Sequence, residues 1–189
     1  MRKQPVLVID HCETVLSKWL MLEYTQAAKL WGGTLFFTRV NDKKTQLILK
    51  KLGSVTKKKS IDVFPHKRCI VLDPQAKKPL TSTACRTCDV IIIGGLLGYE
   101  EPQGRTKTMI SDESHFETRH LGKLQLSIDG AVFVTKAICL GLKLKEIEIA
   151  KEIEIIHDST HSTILPFGYP IIDDVPMITP GLVEYLAHL

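Results

Sequence analysis

Three glycines fall within five residues at the end of an apolar run, and this turn is the clearest place in the chain for a ligand to reach the backbone. Residues 89–93 read Asp-Val-Ile-Ile-Ile, and Gly94, Gly95 and Gly98 follow. An unbroken β-branched run predicts a strand covered on both faces, as in a parallel sheet. Glycines at the carboxyl end of such a strand leave peptide groups open to a small ligand. A tight turn that binds nothing is the alternative, and this motif alone leaves both open.

Five cysteines could form a metal site, a redox dithiol or disulfides, but their spacing favours none of these. Cys85 and Cys88 form a single Cys-x-x-Cys, and His66 is the one histidine near them in sequence, whereas a structural zinc site needs four ligands. A thioredoxin-type dithiol opens a helix after a strand, but this pair precedes a strand. We therefore expect a loop here, with no metal and no disulfide framework.

The elements that position these residues alternate between strand and helix. Besides the run before the glycine turn, strands are expected at residues 6–9, 34–38, 68–72 and 115–119. Residues 145–155 favour a strand through their alternating isoleucines, with a helix as the alternative. Helices are expected at residues 17–31, 42–52, 105–111 and 129–140, with Asp129 as the cap of the last. This order indicates an α/β fold with a mainly parallel sheet flanked by helices.

Three strand ends meet at one edge of the sheet if the strands are parallel. They comprise residues 72–76, 94–98 and 119–131. Ligands of open α/β sheets bind at such carboxyl edges. The sequence lacks both the dinucleotide-binding glycine fingerprint and a Walker loop, so we expect a different small cofactor at this edge.

The composition is that of a globular protein. With 189 residues, 44% of them hydrophobic and 24% charged, the chain can bury a core without disulfides, and we expect one domain over residues 1–189. No apolar run reaches the roughly 18 residues of a membrane span. Asp10 interrupts the first apolar run too early for a signal peptide. We expect a cytoplasmic protein, with the nucleus as the alternative, and no membrane contact.

Positive charge is concentrated in the first third of the chain. Residues 1–60 carry 12 Lys and Arg against 4 Asp and Glu, whereas residues 61–189 carry 13 against 17. Most of the excess lies within residues 43–59. Such a patch favours contact with nucleic acid or a ribonucleoprotein, although a solvated helix face is the alternative for residues 43–51.

Five motifs, in chain order, resemble those of SPOUT-class methyltransferases. They are Leu72-Asp73-Pro74, Gly94-Gly95-Leu96-Leu97-Gly98, Gly104-Arg105-Thr106-Lys107, Arg119-His120-Leu121-Gly122 and Gln125-Leu126-Ser127-Ile128-Asp129-Gly130-Ala131. Asp10-His11-Cys12-Glu13, Trp19, Leu22-Glu23-Tyr24 and Pro166-Phe167-Gly168-Tyr169 are similar to the same family's opening and end. Over nearly its whole length the chain resembles the SPOUT family that includes the yeast protein arginine methyltransferase acting on a small-subunit ribosomal protein.

The resemblance implies a fold and a cofactor. The fold has a C-terminal trefoil knot, with the knot and cofactor loops at about residues 68–140 and an extension at about 141–189. The cofactor is S-adenosylmethionine, whose adenine fits an apolar slot that Leu96, Leu97 and Leu124 help to form. The implied cofactor contacts are Leu72, Asp73, Pro74, Gly94, Gly95, Gly98, Leu121, Gly122, Gln125, Leu126, Ser127 and Ala131.

The implied reaction transfers a methyl group to an arginine guanidinium, and that reaction needs carboxylates. The pKa of a guanidinium is roughly 12.5 to 13.8, so its deprotonation at pH 7 costs about 7 to 9 kcal/mol. A carboxylate can bind the group through two hydrogen bonds, orient it and accept its proton. The candidate catalytic acids are Asp10, Glu13, Glu23 and Asp129. The candidate substrate contacts are His11, Trp19 and Arg105, and Arg105 has the alternative role of holding the glycine turn through carbonyl groups.

One position departs from the family pattern. Tyr99 stands where the family commonly has Asp, and Glu100 or Glu101 is the candidate replacement. Three functions remain open: arginine methylation of a small-subunit ribosomal protein, methylation of tRNA or rRNA, and a non-catalytic role in ribosome assembly. The expected partners are the ribosomal protein and rRNA, the latter through residues 43–59. The chain itself is expected as a monomer or as a homodimer formed through the knot.

Overall fold

A six-stranded parallel sheet forms the centre of the fold. The computed structural model describes residues 4–98, 103–157 and 159–188. The strands are β1 (Val6–His11), β2 (Leu35–Thr38), β3 (Ser54–Val55), β4 (Cys69–Leu72), β5 (Val90–Gly95) and β6 (Glu117–Arg119). Their order is β3-β2-β1-β5-β4-β6, and every neighbouring pair is parallel. The predicted mainly parallel sheet is confirmed, and the trefoil knot stays a prediction.

The helices begin and end at residues suited to those positions. They are α1 (Lys18–Trp31), α2 (Lys43–Leu49), α3 (Ser60–Val63), α4 (Ser82–Thr87), α5 (Ile128–Leu140) and α6 (Leu182–Leu186). The Ser17 hydroxyl accepts a hydrogen bond from the Leu20 N–H and so caps α1. Gly32 ends that helix with a φ of 60°, a conformation in which glycine lacks the strain of a Cβ. A π-helical turn (Lys107–Ser111) and a 3-10 turn (Leu144–Glu146) complete the described helical elements.

Side chains alternate between the two faces of the sheet, and this alternation decides which residues meet. Leu7 and Ile9 of β1 belong to the core cluster that includes residues of α1 and α5. Val8, between them, packs in a second cluster with Ile92 and Ile110 on the opposite face. Both faces of the central strands are therefore buried, which explains their continuous apolar sequences.

An antiparallel region follows α5. It consists of β7 (Ile149–Ala150), β8 (Ile153–Ile156), β9 (Ser162–Leu165), β10 (Tyr169–Ile172) and β11 (Val175–Pro176). These strands form a sheet of order β11-β10-β7 and a separate β8-β9 hairpin. Strand β10 packs on α5, with Pro170 beside Gly130 in its first turn, and helix α6, which follows the region, packs on α1.

The structure corrects several local predictions. Asp129 does not cap α5: the Ser127 hydroxyl accepts the Gly130 N–H, and Asp129 lies buried in the first turn. Cys85 lies in α4 rather than in a loop. The single strand expected at residues 145–155 is instead a 3-10 turn followed by the two short strands β7 and β8. Lys151 and Glu152 lie between these strands.

Two further observations concern membrane spans and metal ions. Among the residues that the structure describes, no helix is long and apolar enough to cross a membrane. Within the same ranges, no group of three or more His, Cys, Asp and Glu side chains is arranged to hold a metal ion.

Candidate active site

A cleft of about 910 Å³, measured to its open mouth, lies at the carboxyl ends of β4 and β5, beside the start of α5. Its walls come from the ends of β4 and β5 and the turns after them, the segment at 103–106, the loop at 121–127 and the first turn of α5. Apart from Ile93 and the segment at 103–106, these residues belong to the strand ends that the sequence places at one edge of the sheet.

Most of the predicted cofactor contacts line this cleft. Ten of the twelve do so: Leu72, Asp73, Pro74, Gly94, Gly98, Leu121, Gly122, Gln125, Leu126 and Ala131. The three leucines proposed for the adenine slot, Leu96, Leu97 and Leu124, and the candidate substrate contact Arg105 are also in the lining. Their roles in binding stay predictions, but the structure brings the residues together.

Six lining residues were missed by the sequence reasoning. They are Gln75, Ile93, Gln103, Gly104, Thr106 and Ile128. Gly104, Thr106 and Ile128 belong to motifs that carry the resemblance, so their position in the motif was an available signal. Nothing in the local pattern around Gln103 indicated a site.

Gly95 and Ser127, the two remaining predicted contacts, have structural positions instead. A Cβ at Gly95 would lie 2.1 Å from Tyr24 Oη and 3.0 Å from Ile9 Cγ2. The absence of a side chain there makes room for Tyr24, whose hydroxyl forms a 2.9 Å hydrogen bond with His11 Nδ1. Ser127 is the cap of α5.

Asp73 fixes the turn that follows β4. Its buried carboxylate accepts hydrogen bonds from the Gln75 N–H at 2.8 Å and from the Ser111 hydroxyl at 2.6 Å. The first bond closes the turn at the floor of the cleft. The second ties that turn to the π-helical turn, which continues the segment at 103–106.

Glu13 holds the glycine turn in place together with Arg105. Glu13 Oε1 accepts the Leu97 N–H at 3.0 Å and forms a 3.0 Å ion pair with the Arg105 guanidinium. Arg105 also donates to the Leu97 carbonyl. Arg105 therefore makes the carbonyl contact that the sequence reasoning named as one of its two roles.

Glu23 and Asp129 form a buried acidic pair directly behind the cleft wall. Glu23 accepts hydrogen bonds from Trp19 Nε1 at 2.6 Å and from the Ile128 N–H at 2.8 Å. Asp129 accepts them from the Thr179 hydroxyl at 2.7 Å and from the Gly130 N–H at 3.0 Å. All four donors are neutral. Ile128 lines the cleft, precedes Asp129 and bonds to Glu23 through its N–H, so the pair lies directly behind this residue.

Within the part of the chain that the structure describes, no cation is among the groups that shift the pKa values of this pair. Burial and, secondarily, the neighbouring Asp129 carboxylate raise the pKa of Glu23 to about 8. Burial also raises the pKa of Asp129, although its hydrogen bonds oppose the shift. The Tyr169 hydroxyl is buried nearby and has no hydrogen-bond partner among the described residues, and its pKa is raised by burial and then by the two carboxylates.

The candidate acids do not form one cluster. Asp10 faces the other side of the sheet, where it accepts hydrogen bonds from Thr38 and Ser60 at 2.9 Å and pairs with Arg39 at 2.9 Å. His11 bonds to Tyr24, and burial lowers its pKa. Neither residue lines the cleft. Tyr99, Glu100 and Glu101 lie outside the described residues.

The fold and the cleft together define a class of protein: an α/β protein with a parallel sheet and a small-molecule cleft at its carboxyl edge. The family model described as SFM1-like, Protein arginine N-methyltransferase SFM1-like, matches residues 6–189. The chain belongs to this SFM1-like family of protein arginine N-methyltransferases. The predicted family and enzyme class are thereby confirmed.

Individual relatives agree with this assignment. Protein arginine N-methyltransferase SFM1 of Saccharomyces cerevisiae is 25% identical over 197 residues, which cover 95% of this chain and 92% of the yeast protein. The crystal structure of yeast SFM1 complexed with S-adenosylmethionine has a TM-score of 0.87 at 24% identity and covers 98% of this chain and 91% of that one. A dual-specific Trm10 from Thermococcus kodakaraensis shares the fold at a TM-score of 0.57 and 14% identity, covering 75% and 96% of the two chains.

Proposed function

We propose that this protein is an S-adenosylmethionine-dependent protein arginine N-methyltransferase that acts on a ribosomal protein of the small subunit. The cofactor assignment is supported by the cleft at the carboxyl edge and by the S-adenosylmethionine held in a yeast relative of the same fold. The lining combines leucines, suited to adenine, with backbone groups exposed at Gly94, Gly98 and Gly122. When bound, the cofactor would supply a methyl group on a sulfonium sulfur, and that sulfur would depart as a neutral thioether.

The observation that carries the proposal is the buried Glu23–Asp129 pair beside the cleft. Two carboxyl groups in one dry site cannot both be charged cheaply, which agrees with their raised pKa values. A guanidinium is the planar cation that two carboxylates bind best. A substrate arginine entering from the cleft would compensate the pair, and an RNA base would not.

The residues of the chain divide the remaining steps among them. Glu23 and Asp129 bind the guanidinium and turn one nitrogen toward the methyl group. Binding of the cationic guanidinium favours the ionised form of Glu23, which releases its own proton to solvent. As the new N–C bond forms and the S–C bond breaks, the methylated nitrogen loses a proton to this carboxylate, whose pKa of about 8 in the unbound protein makes it a stronger base than an ordinary Glu. Glu13 and Arg105 hold the glycine turn rigid during this step. Alignment of this kind lowers the barrier by removing the entropic cost of orientation.

The substrate and the compartment are the finer parts of the proposal. The whole-length family resemblance supports a small-subunit ribosomal protein, and such a substrate supports a cytoplasmic location. The chain acts on it as a monomer or as a homodimer formed through the knot.

The test is transfer of labelled methyl from S-adenosylmethionine to separated small-subunit proteins and rRNA. We expect label in one protein, released as methylarginine on hydrolysis. Glu23→Gln should lower the rate by about a hundredfold or more because it removes the proton acceptor. Cofactor binding by calorimetry should change little, since Glu23 does not line the cleft.

The matched control is Glu152→Gln, which removes an exposed carboxylate from the turn between β7 and β8. It should keep the full rate. Label in rRNA that survives Glu23→Gln would instead establish RNA methylation, the second candidate, which the basic residues 43–59 favour. Cofactor binding with no label in either fraction would make the protein a non-catalytic binding module.

A further inference from the structure

Seven lysines and no acidic residue lie within residues 43–59, and all seven side chains are exposed. They are Lys43, Lys44, Lys50, Lys51, Lys57, Lys58 and Lys59. Within the described part of the chain, Lys59 is the one that forms an ion pair, with Glu113 at 3.0 Å. The acid that precedes them, Asp42, is held by the Thr45 N–H at the start of α2. The local charge is therefore strongly positive and largely uncompensated.

The topology sorts these lysines between the two edges of the sheet. Lys57 and Lys58 come two and three residues after the end of β3, and Lys43 and Lys44 open the helix that follows β2, so these four lie at the carboxyl edge. Helix α2 runs back across the sheet and places Lys50 and Lys51 toward the amino edge. We name Lys43, Lys44, Lys57 and Lys58 the edge lysines.

The edge lysines share the carboxyl edge with the cleft but do not obstruct it. The strand order puts β3 four positions from β4, which corresponds to about 19 Å at the usual strand spacing of roughly 4.8 Å. A long ligand can therefore lie on the edge lysines while a side chain of a substrate occupies the cleft.

The chemistry of the edge lysines fits a phosphate backbone. Lysine is a compact point charge that suits phosphates without reading sequence, whereas arginine supplies the bidentate contacts of specific recognition. A membrane surface fits less well because α2 has seven residues and one strongly exposed apolar side chain, Leu47.

We propose that the edge lysines bind the phosphate backbone of RNA, so that the protein meets its substrate on or beside RNA. The choice of RNA as the partner rests on the proposed function, since ribosomal proteins assemble with RNA. The binding of RNA by the edge lysines does not depend on that function, because it needs neither the cofactor nor Glu23.

The test measures binding of a fluorescein-labelled poly(U) RNA by anisotropy over a series of salt concentrations. Removal of one lysine that neutralises a phosphate should reduce the slope of log K against log salt by about 0.7 for a single strand. The double variants Lys43→Gln/Lys44→Gln and Lys57→Gln/Lys58→Gln should each reduce it by about 1.4. The variant Lys50→Gln/Lys51→Gln removes the same charge at the other edge and should leave the slope nearly unchanged.

Three results would overturn the proposal. The first is a slope of log K against log salt near zero for the wild type, and the second is an equal reduction of that slope in all three double variants. The third is displacement of the RNA by polyglutamate at equal charge concentration, which would point to an acidic protein partner. A Glu23→Gln protein that binds RNA normally but transfers no methyl group would support both proposals. Failure of RNA binding with intact methyl transfer would overturn this one alone.

Discussion

Gly94 and Gly95 are neighbours in β5 but serve different sides of the sheet. Gly94 lines the cleft, and a Cβ there would lie 3.2 Å from Leu96 Cδ1 and 3.3 Å from Thr106 Oγ1. Gly95 faces α1, where Tyr24 fills the space a side chain would need. The glycine-rich turn thus combines a ligand-facing residue with a packing residue, and the sequence motif does not distinguish them.

Alanine at each position should separate the two roles. Gly95→Ala should lower the free energy of unfolding by roughly 1 to 3 kcal/mol, because Tyr24 must move from a filled core. Gly94→Ala should destabilise less, since the three contacting atoms, on Leu96, Thr106 and Ile110, are side-chain ends that can shift, but its methyl group should weaken S-adenosylmethionine binding severalfold. Denaturant unfolding and calorimetric titration measure the two effects. Equal destabilisation by both variants would contradict this assignment.

At the scale of elements, Arg39 connects the sheet to the segment that borders the cleft. Its guanidinium pairs with buried Asp10 at 2.9 Å and with Glu113 at 2.6 Å, and it donates to the Met109 carbonyl at 2.6 Å. The residue has a φ of 59°, which is uncommon outside glycine and fixes the direction of the side chain. One residue after β2 thereby positions the π-helical turn (Lys107–Ser111).

Arg39→Lys should loosen that segment, because an ammonium cannot keep all three contacts in the geometry of the guanidinium fork. We expect S-adenosylmethionine affinity to fall about tenfold, which is about 1.4 kcal/mol. Amide hydrogen exchange at residues 105–113 should become faster. Arg68→Lys is the control, since Arg68 is 72% exposed and pairs with Asp89 at 3.6 Å. If amide exchange and S-adenosylmethionine affinity were unchanged in Arg39→Lys, the π-helical turn would not depend on Arg39 for its position.

Most helices and strands were predictable from the sequence, because the spacing of apolar residues indicates which side chains are buried against the parallel sheet. The contacts between residues far apart in the sequence were not predictable in this way. Ser127 and Asp129 are both residue types that commonly cap helices. The choice between them depends on Thr179, fifty positions later, whose hydroxyl donates a hydrogen bond to the buried Asp129 carboxylate. The two-residue strand β3 and the four-residue helix α3 are too short to show a period.

At the scale of the whole molecule, the candidate site joins distant parts of the chain. The cleft was predictable because parallel strands bring their carboxyl ends to one edge, and the family motifs fall there. The separation of the two candidate residues Asp10 and His11 depends on the fold, since strand alternation sends their side chains to opposite faces of the sheet. The buried pair was harder still, because Glu23 of α1 meets the Ile128 N–H of α5 over 105 positions.

The buried pair should make the stability of the entire fold depend on pH. The pKa of Glu23 is about 8 in the folded protein against an ordinary value of 4.5, so between these values the folded state binds more protons than the unfolded state. The free energy of unfolding must therefore fall as pH rises through this window, and the contribution is complete only below pH 4.5. The raised pKa of Asp129 acts in the same direction.

Glu23→Gln removes the titrating group, so its unfolding free energy should decline less between pH 4.5 and 8 than that of the wild type. The variant loses stability at low pH, because its amide cannot accept from both the Trp19 and the Ile128 donors, and one buried donor left unpaired costs roughly 1 to 3 kcal/mol. The two stability curves should accordingly converge as pH rises. Denaturant unfolding at a series of pH values measures this, with Glu152→Gln expected to follow the wild type. Parallel curves for wild type and Glu23→Gln would mean that the pKa of Glu23 is not raised in the folded protein, and its carboxylate would then be a weaker base toward an arginine.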